Sequence, residues 1–326
     1  MSILRWAAVA AAVFSGLSLS VTSAWSQAYP SKPIRMIVGF PPGGGTDVVA
    51  RVIGAKLQEW YGQPVVVENR PGATGTIGAD VVAKSPADGY ILLMGHVNST
   101  GIAPNLFAKL PYDPIKDFAA VSYVGYVPNV LAVHPSVNAK SVSELVTLAK
   151  SMPGAMNYAS SGNGSTQHLA GEMFKQLTGT SIVHVPYKGS GDAIKDLLAG
   201  TVNMNFDTMP PVMPHIQSGR LRGLAISTPK RLPQLPDVPT FEEAGIRGFD
   251  VTNWYGVQAP AGTPREIVLK LNADINKAMQ VPEVRSRLEA VGTQLNEQSA
   301  AQFDAFMKAE VAKYAKLIKD ANIKIE

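Results

Sequence analysis

The chain has 326 residues and no cysteine, and its 29 Lys and Arg against 25 Asp and Glu leave a formal net charge of +4. The missing cysteine excludes a disulfide framework and any thiolate-ligated metal. A small, evenly mixed charge without a basic stripe interleaved with aromatics excludes a nucleic-acid footprint.

Residues 1–28 read as an export signal. Arg5 supplies a short positive start, Trp6 to Val21 an apolar stretch, and Ser26-Gln27-Ala28 the small residues of a cleavage site after Ala28. An uncleaved anchor is the rival reading, because the apolar stretch is close to spanning length. The chain that begins at Tyr29 is long enough to be expected as two lobes.

Lys32 to Phe40 has the β-branched, apolar character of a buried parallel strand, and Asp47 to Tyr61 carries Val48, Val49, Val52, Ile53 and Leu57 at helical spacing. Gly62 closes that helix and Pro64 to Glu68 is the next strand, so the order is β-α-β with a right-handed crossover. Between the first strand and helix lies Gly39-Phe40-Pro41-Pro42-Gly43-Gly44-Gly45-Thr46-Asp47. Such a turn aims unpaired backbone N–H groups and the positive end of a helix dipole at one place, which suits a carboxylate or phosphate. A second glycine-rich turn, 69–79, and a third strand, Tyr90 to Met94, lead to a polar loop over 96–101. Three strands therefore end in small polar loops, where open parallel sheets bind ligands.

Ala120 to Val124 and Asn129 to Val133 are expected as strands leaving this lobe, and Ser141 with Glu144 as the capping box of a helix ending at Pro153-Gly154. The opening order then recurs: strand Met156 to Ser160, small-residue loop 161–166, helix Gln167 to Leu177, strand Thr180 to Val185, loop 188–192, helix Ala193 to Leu198 and strand Val202 to Phe206. Leu221 to Ser227 is a further strand. Thr263 and Pro264 are placed as cap and first residue of a helix from Arg265 to Met279, and Pro282 to Val291 and Ala300 to Ala321 as two more. This tail is expected to pack back on the first lobe, so the chain crosses between lobes near 126–128 and 249–253.

The first loop is neither a P-loop nor a dinucleotide fingerprint, since the required Lys-Ser/Thr and Gly spacings are absent. Ser165, Thr166 and His168 stand close enough to raise a hydrolase reading, although a His in the first turn of a helix is favoured neutral and serves as a ligand donor. Asp47 is expected to cap its helix or pair with Arg51, and Asp207 to end a strand, either as a turn residue or facing a ligand amine or hydroxyl. Phe40, Trp254 and Tyr255 could wall an apolar ligand or belong to the core. No His shows metal spacing, so no metal and no cofactor are expected.

The chain resembles the Bug/TctC-type receptors of tripartite tricarboxylate transporters. The resemblance rests on Phe40-Pro41-Pro42-Gly43-Gly44, Glu68-Asn69-Arg70-Pro71-Gly72-Ala73, 84–90, 110–113, Tyr158-Ala159-Ser160-Ser161-Gly162-Asn163-Gly164-Ser165, Val185-Pro186-Tyr187-Lys188-Gly189, Trp254-Tyr255-Gly256 and 259–264, in the family's order. It implies an α/β, two-lobed periplasmic-binding-protein fold (Venus flytrap, type II-like), each lobe a mostly parallel sheet flanked by helices, joined by two hinge crossings. Lobe 1 would comprise 29–127 plus 251–326, and lobe 2 128–250. It further implies a non-catalytic, monomeric periplasmic receptor that holds a small carboxylate through backbone amides and delivers it to membrane subunits, with a sensor kinase as an alternative listener. The implied ligand-binding residues are Phe40, Gly43, Gly44, Thr46, Gly75, Ser99 and Thr100 on the first lobe. On the second they are Ser161, Gly162, Ser165, Thr166, His168 and Asp207. A side chain at Gly44, as in Gly44→Val, is expected to clash and to block a ligand's approach to the backbone.

Overall fold

In a computed structural model of the protein, residues 29–187 and 189–323 are described. The expected signal segment, 1–28, lies outside the described residues. No described helix is long and apolar enough to cross a membrane.

From Lys32 onward the chain is one compact unit, built on a continuous ten-stranded sheet. Strand β1 (Ile34–Val38) is fully apolar on its buried positions and sits between β2 (Val65–Asn69) and β3 (Ile91–His96), parallel to both. Helix α1 (Gly45–Tyr61) returns the chain between β1 and β2, burying Val49, Val52, Ile53 and Leu57. Gly62 ends it in the left-handed conformation, its N–H donated to Gln58 O. A 3₁₀ turn (Ala73–Gly75) and α2 (Thr76–Ala83) connect β2 to β3. A π-turn (Asn98–Ile102) and α3 (Ala103–Leu106) follow β3.

Strand β4 (Phe118–Val133) is one uninterrupted element where the sequence suggests two strands. Up to Pro128 it pairs with β9 (Thr252–Pro260), and from Asn129 with β7 (Met204–Thr208) and β8 (Arg222–Ile226). Beyond it lie α4 (Val142–Ser151), β5 (Asn157–Ser160), α5 (Thr166–Thr178), β6 (Val183–Pro186) and α6 (Ser190–Leu198). Helix α7 (Met209–Gln217) follows β7. After β8 the chain re-enters the first half at Thr252, opposite Pro128. The two passages therefore lie side by side, at Pro128/Asn129 and at Val251/Thr252. Helices α8 (Arg265–Gln280), α9 (Pro282–Ala290) and α10 (Ala300–Asp320), with the short β10 (Gln294–Leu295), pack against the first half, α8 and α9 on α1 and α10 on β4.

Three further expectations change. Each half is mixed rather than mostly parallel: β1–β2, β1–β3, β5–β6 and β5–β7 are parallel, but every pairing of β4 and β9 is antiparallel. Thr263 does not cap α8, because its hydroxyl donates to Pro260 O. Ser141 does cap α4 through Glu144 N, but the Glu144 carboxylate reaches Lys140 N rather than closing a box.

Candidate binding cleft

The loops after β1, β2, β3 and β5 meet around a cleft of about 500 Å³. Gly39, Phe40, Pro41, Pro71, Gly72, Thr74, Gly75 and Asn98 line it from the first half, and Ser161, Asn163 and Ser165 from the second. None of these side chains is charged.

On the first side the backbones are in contact. A Cβ on Gly39 would lie 2.6 Å from Gly75 O, and one on Gly78 2.8 Å from Gly39 Cα. Gly75 has φ 93°, and Ala73 and Thr74 hold φ 46° and 55°, a region costly for residues with a side chain. Phe40 stacks edge-on against His96, centroids 4.9 Å apart. Its carbonyl accepts the Asn69 amide at 3.0 Å, and the same amide donates to Asp47 Oδ1 at 2.9 Å.

Asp47 explains the glycine loop differently from the sequence. Its buried carboxylate also accepts Gly43 N at 2.9 Å and Arg51 Nε at 3.0 Å. Burial alone would raise its pKa, but the bonds from Arg51, Gly43 and Asn69 outweigh this and hold it at about 2. The Gly43 N–H, expected to meet a ligand, is thus spent inside the chain. Gly43 and Gly44 are exposed and do not line the cleft. The nearest atom to a Cβ on Gly44 is Pro41 O at 3.7 Å, so the clash expected at this position does not arise.

At the end of β3, His96 is buried and its pKa is lowered to about 3 by desolvation; Nδ1 accepts Asn98 N at 3.1 Å. Ser99 and Thr100 are buried one layer back: Ser99 Oγ donates to His96 O and Thr100 Oγ1 to Gln258 Oε1. The residue that lines the cleft here is Asn98, whose Oδ1 is buried without a partner.

On the second side, Ser165 lines the cleft and caps α5, accepting His168 N. Ser161 Oγ donates to Gln167 Oε1 at 2.6 Å, and Gln167 Nε2 donates to Asp207 Oδ1 at 3.0 Å. Asp207 is fully buried and also accepts Ser190 Oγ, Asn205 Nδ2 and Thr208 N. Burial raises its pKa and these bonds oppose the rise. Thr166 Oγ1 donates to Asn253 Oδ1. Gly162 (φ 123°) sits against Tyr187 O.

The His168 ring stacks on His184, centroids 3.9 Å apart and 4° from parallel, and its Nδ1 accepts Gly164 N. Burial lowers its pKa. The imidazole is therefore turned to Gly164 and His184 while Ser165 Oγ is occupied by a backbone N–H, which is not the geometry of a base activating a nucleophile.

Of the residues expected at the site, the structure brings Phe40, Gly75, Ser161 and Ser165 to the cleft. Gly43, Gly44, Thr46, Ser99, Thr100, Gly162, Thr166, His168 and Asp207 stand beside or behind it. Gly39, Pro41, Pro71, Gly72, Thr74, Asn98 and Asn163 line it without having been singled out, although each lies in a loop that the sequence marks as small and polar. Trp254 and Tyr255 belong to the core: Trp254 is fully buried and donates Nε1 to Glu310 Oε2, and the Tyr255 hydroxyl occupies the space that a Cβ on Gly45 would need.

A family profile described as "Tripartite tricarboxylate transporter family receptor" matches residues 49–323. The chain belongs to this receptor family. It is 42% identical over 299 residues to protein BugT of Bordetella pertussis, covering 91% of this chain and 92% of that one. Among solved structures, "R. palustris Rpa4515 with adipate" superposes with a TM-score of 0.80 at 38% identity, covering 91% of this chain and 99% of that one. MatC from Rhodopseudomonas palustris with bound malate gives 0.76 at 33% identity, covering 89% and 100%. The fold of this receptor is accordingly the α/β periplasmic-binding-protein fold, two halves of a mixed sheet joined by two passages of the chain.

Proposed function

We propose that this receptor captures a small organic carboxylate in the cleft, without turning it over, and presents it to the membrane subunits of a tripartite transporter. The observation that carries the reading is the cleft itself. Loops of both sheet halves line it, none of its side chains is charged, and the N-terminus of α5 opens at Ser165. Backbone N–H groups and a helix dipole suit a carboxylate under those conditions. The adipate and malate held by relatives of 38% and 33% identity support the same class. The commitment of the His168 ring supports binding rather than hydrolysis. We assign Phe40, Gly75, Asn98, Ser161, Asn163 and Ser165 to direct contact, and Asp47, Thr166, His168 and Asp207 to holding the loops. The lobes are taken as 29–127 with 251–326 and as 128–250, and the chain as exported to the periplasm with cleavage after Ala28. A ligand closes the lobes only by as much as it prefers the closed form. Calorimetry against dicarboxylates, tricarboxylates, aromatic acids and amino acids tests the reading. Saturable binding of at least one carboxylate is expected; a folded protein that binds none overturns it.

A further inference from the structure

A second cavity, of about 510 Å³, shares no lining residue with the cleft. Successive residues of a strand point to opposite faces of a sheet. On β9, Asn253 points to Thr166 beside the cleft, so Thr252 and Trp254 point the other way. Thr252 lines the second cavity, and the Trp254 ring packs on Phe306, which lines it too, with centroids 5.6 Å apart. On β4 the register shifts between Tyr123 and Gly125, which inserts one residue and puts Tyr123 and Tyr126 on one face, both lining this cavity. Phe241 and Phe249, stacked at 3.7 Å, face it from the other half of the molecule. The cavity therefore lies behind the two passages of the chain, on the reverse side of the sheet from the cleft.

Its chemistry is the opposite of an anion site. Five aromatic rings and three carboxylates, Glu242, Asp250 and Glu310, line it, with no Lys, Arg or His among the lining residues. Lys313 Nζ, just outside, lies 3.1 Å from Asp250 and 2.5 Å from Glu310, so one cation answers two of the three acids. Gln298 lines the cavity too, and its Oε1 is buried without a donor. Volume and lining are those of a small-molecule pocket, and aromatic faces with excess carboxylate favour a cation.

We propose that this cavity is a second binding site, taking a small organic ammonium ion with an aromatic body. The rings hold the body, and the ammonium donates to Gln298 Oε1 and the carboxylates. The test is calorimetry on the full chain with phenethylammonium chloride, 2-phenylethanol serving as the uncharged control. Saturable binding of phenethylammonium is expected, with 2-phenylethanol at least about fivefold weaker, the ratio that loss of one cation–π contact gives. The double variant Glu242→Gln with Asp250→Asn alters two exposed acids and should weaken phenethylammonium by at least a similar factor, as should Gln298→Leu. Absence of saturable binding, equal binding of the alcohol, or unchanged affinity in the double variant with its melting temperature retained would each overturn the assignment. Should Gln298→Leu fail to fold, the double variant decides.

Discussion

Thr166 Oγ1 donates to Asn253 Oδ1 at 2.9 Å, which ties the start of α5 to the strand on which the chain re-enters the first half. The link continues: Asn253 Nδ2 donates to Asn129 Oδ1 at 3.1 Å, and Asn129 Nδ2 to Val251 O at 3.3 Å. Asn129 N in turn donates to Ser227 Oγ. All three members, Thr166, Asn253 and Asn129, are buried. Both passages between the halves are thus fastened to each other and to a helix that opens on the cleft. Thr166→Val keeps the shape and removes the donor, leaving Asn253 Oδ1 buried and unpaired. The cost should be about 1–3 kcal/mol, read as a lower urea midpoint. An unchanged midpoint would mean that water replaces the hydroxyl.

Glycines separate into two kinds here. Gly78 must lack a side chain because the first atom met is backbone, Gly39 Cα at 2.8 Å. Gly78→Val should therefore part the first and second cleft loops and lower carboxylate affinity by at least tenfold, about 1.4 kcal/mol. Gly44→Ala, at φ −76° with no atom nearer than 3.7 Å, should leave affinity within twofold. Equal losses in the two variants would show that the Gly44 backbone is itself a ligand contact.

Asp207 fixes the direction of a hydrogen-bond chain into the cleft. A carboxylate can only accept, so Gln167 must turn Nε2 toward it and Oε1 toward Ser161, whose proton is then committed. Ser161 Oγ is left as an acceptor, next to a cleft that also holds the unpartnered Asn98 Oδ1. Asp207→Asn sets an amide against donors that meet both carboxylate oxygens, and should destabilise by about 1–3 kcal/mol. It also permits Gln167 to flip. If the wild type prefers malate to succinate, the variant should lose much of that preference. Retention of the full ratio with a lowered melting temperature would confine Asp207 to stability.

What was legible in the sequence follows from the range of the interaction. The first β-α-β unit could be read because its apolar spacing switches from strand to helix at a glycine turn, all within about 35 residues. Strand β9 could not, since Gly256 and Pro260 weaken its pattern and its pairing partner β4 lies more than a hundred positions away. Helix α7 was hidden by Pro210, Pro211 and Pro214; the first two fall in the opening turn, where the missing N–H groups would be unpaired in any case. Site loops were visible as small polar stretches. Which atoms face the cleft was not, because Asn69 decides the fate of Asp47 from 22 positions away and Gln167 that of Asp207 from 40.

Acid should destabilise the fold in two stages. Burial lowers the pKa of His96 and His184 to about 3, and that of His168 below its usual value, with Lys175 and the stacked ring adding to the effect on His184. Each ring binds a proton less readily in the fold than in the unfolded chain, which begins to bind protons near 6.5. The unfolded state then holds more protons, so stability falls as pH drops below about 6.5, by up to about 1.4 kcal/mol per pH unit for each such ring. Asp47, held at about 2 against an ordinary 3.8, adds a second loss as pH falls from 3.8 toward 2. Asp207 and Glu310 are raised by burial and work the other way, gaining as they protonate, but they are two groups against three rings. Denaturant midpoints at pH 7, 5.5 and 4 should decline in that order, and His184→Gln should flatten the decline. A midpoint constant from pH 7 to pH 4 would contradict the lowered proton affinity of buried His96 and of the stacked His168–His184 pair.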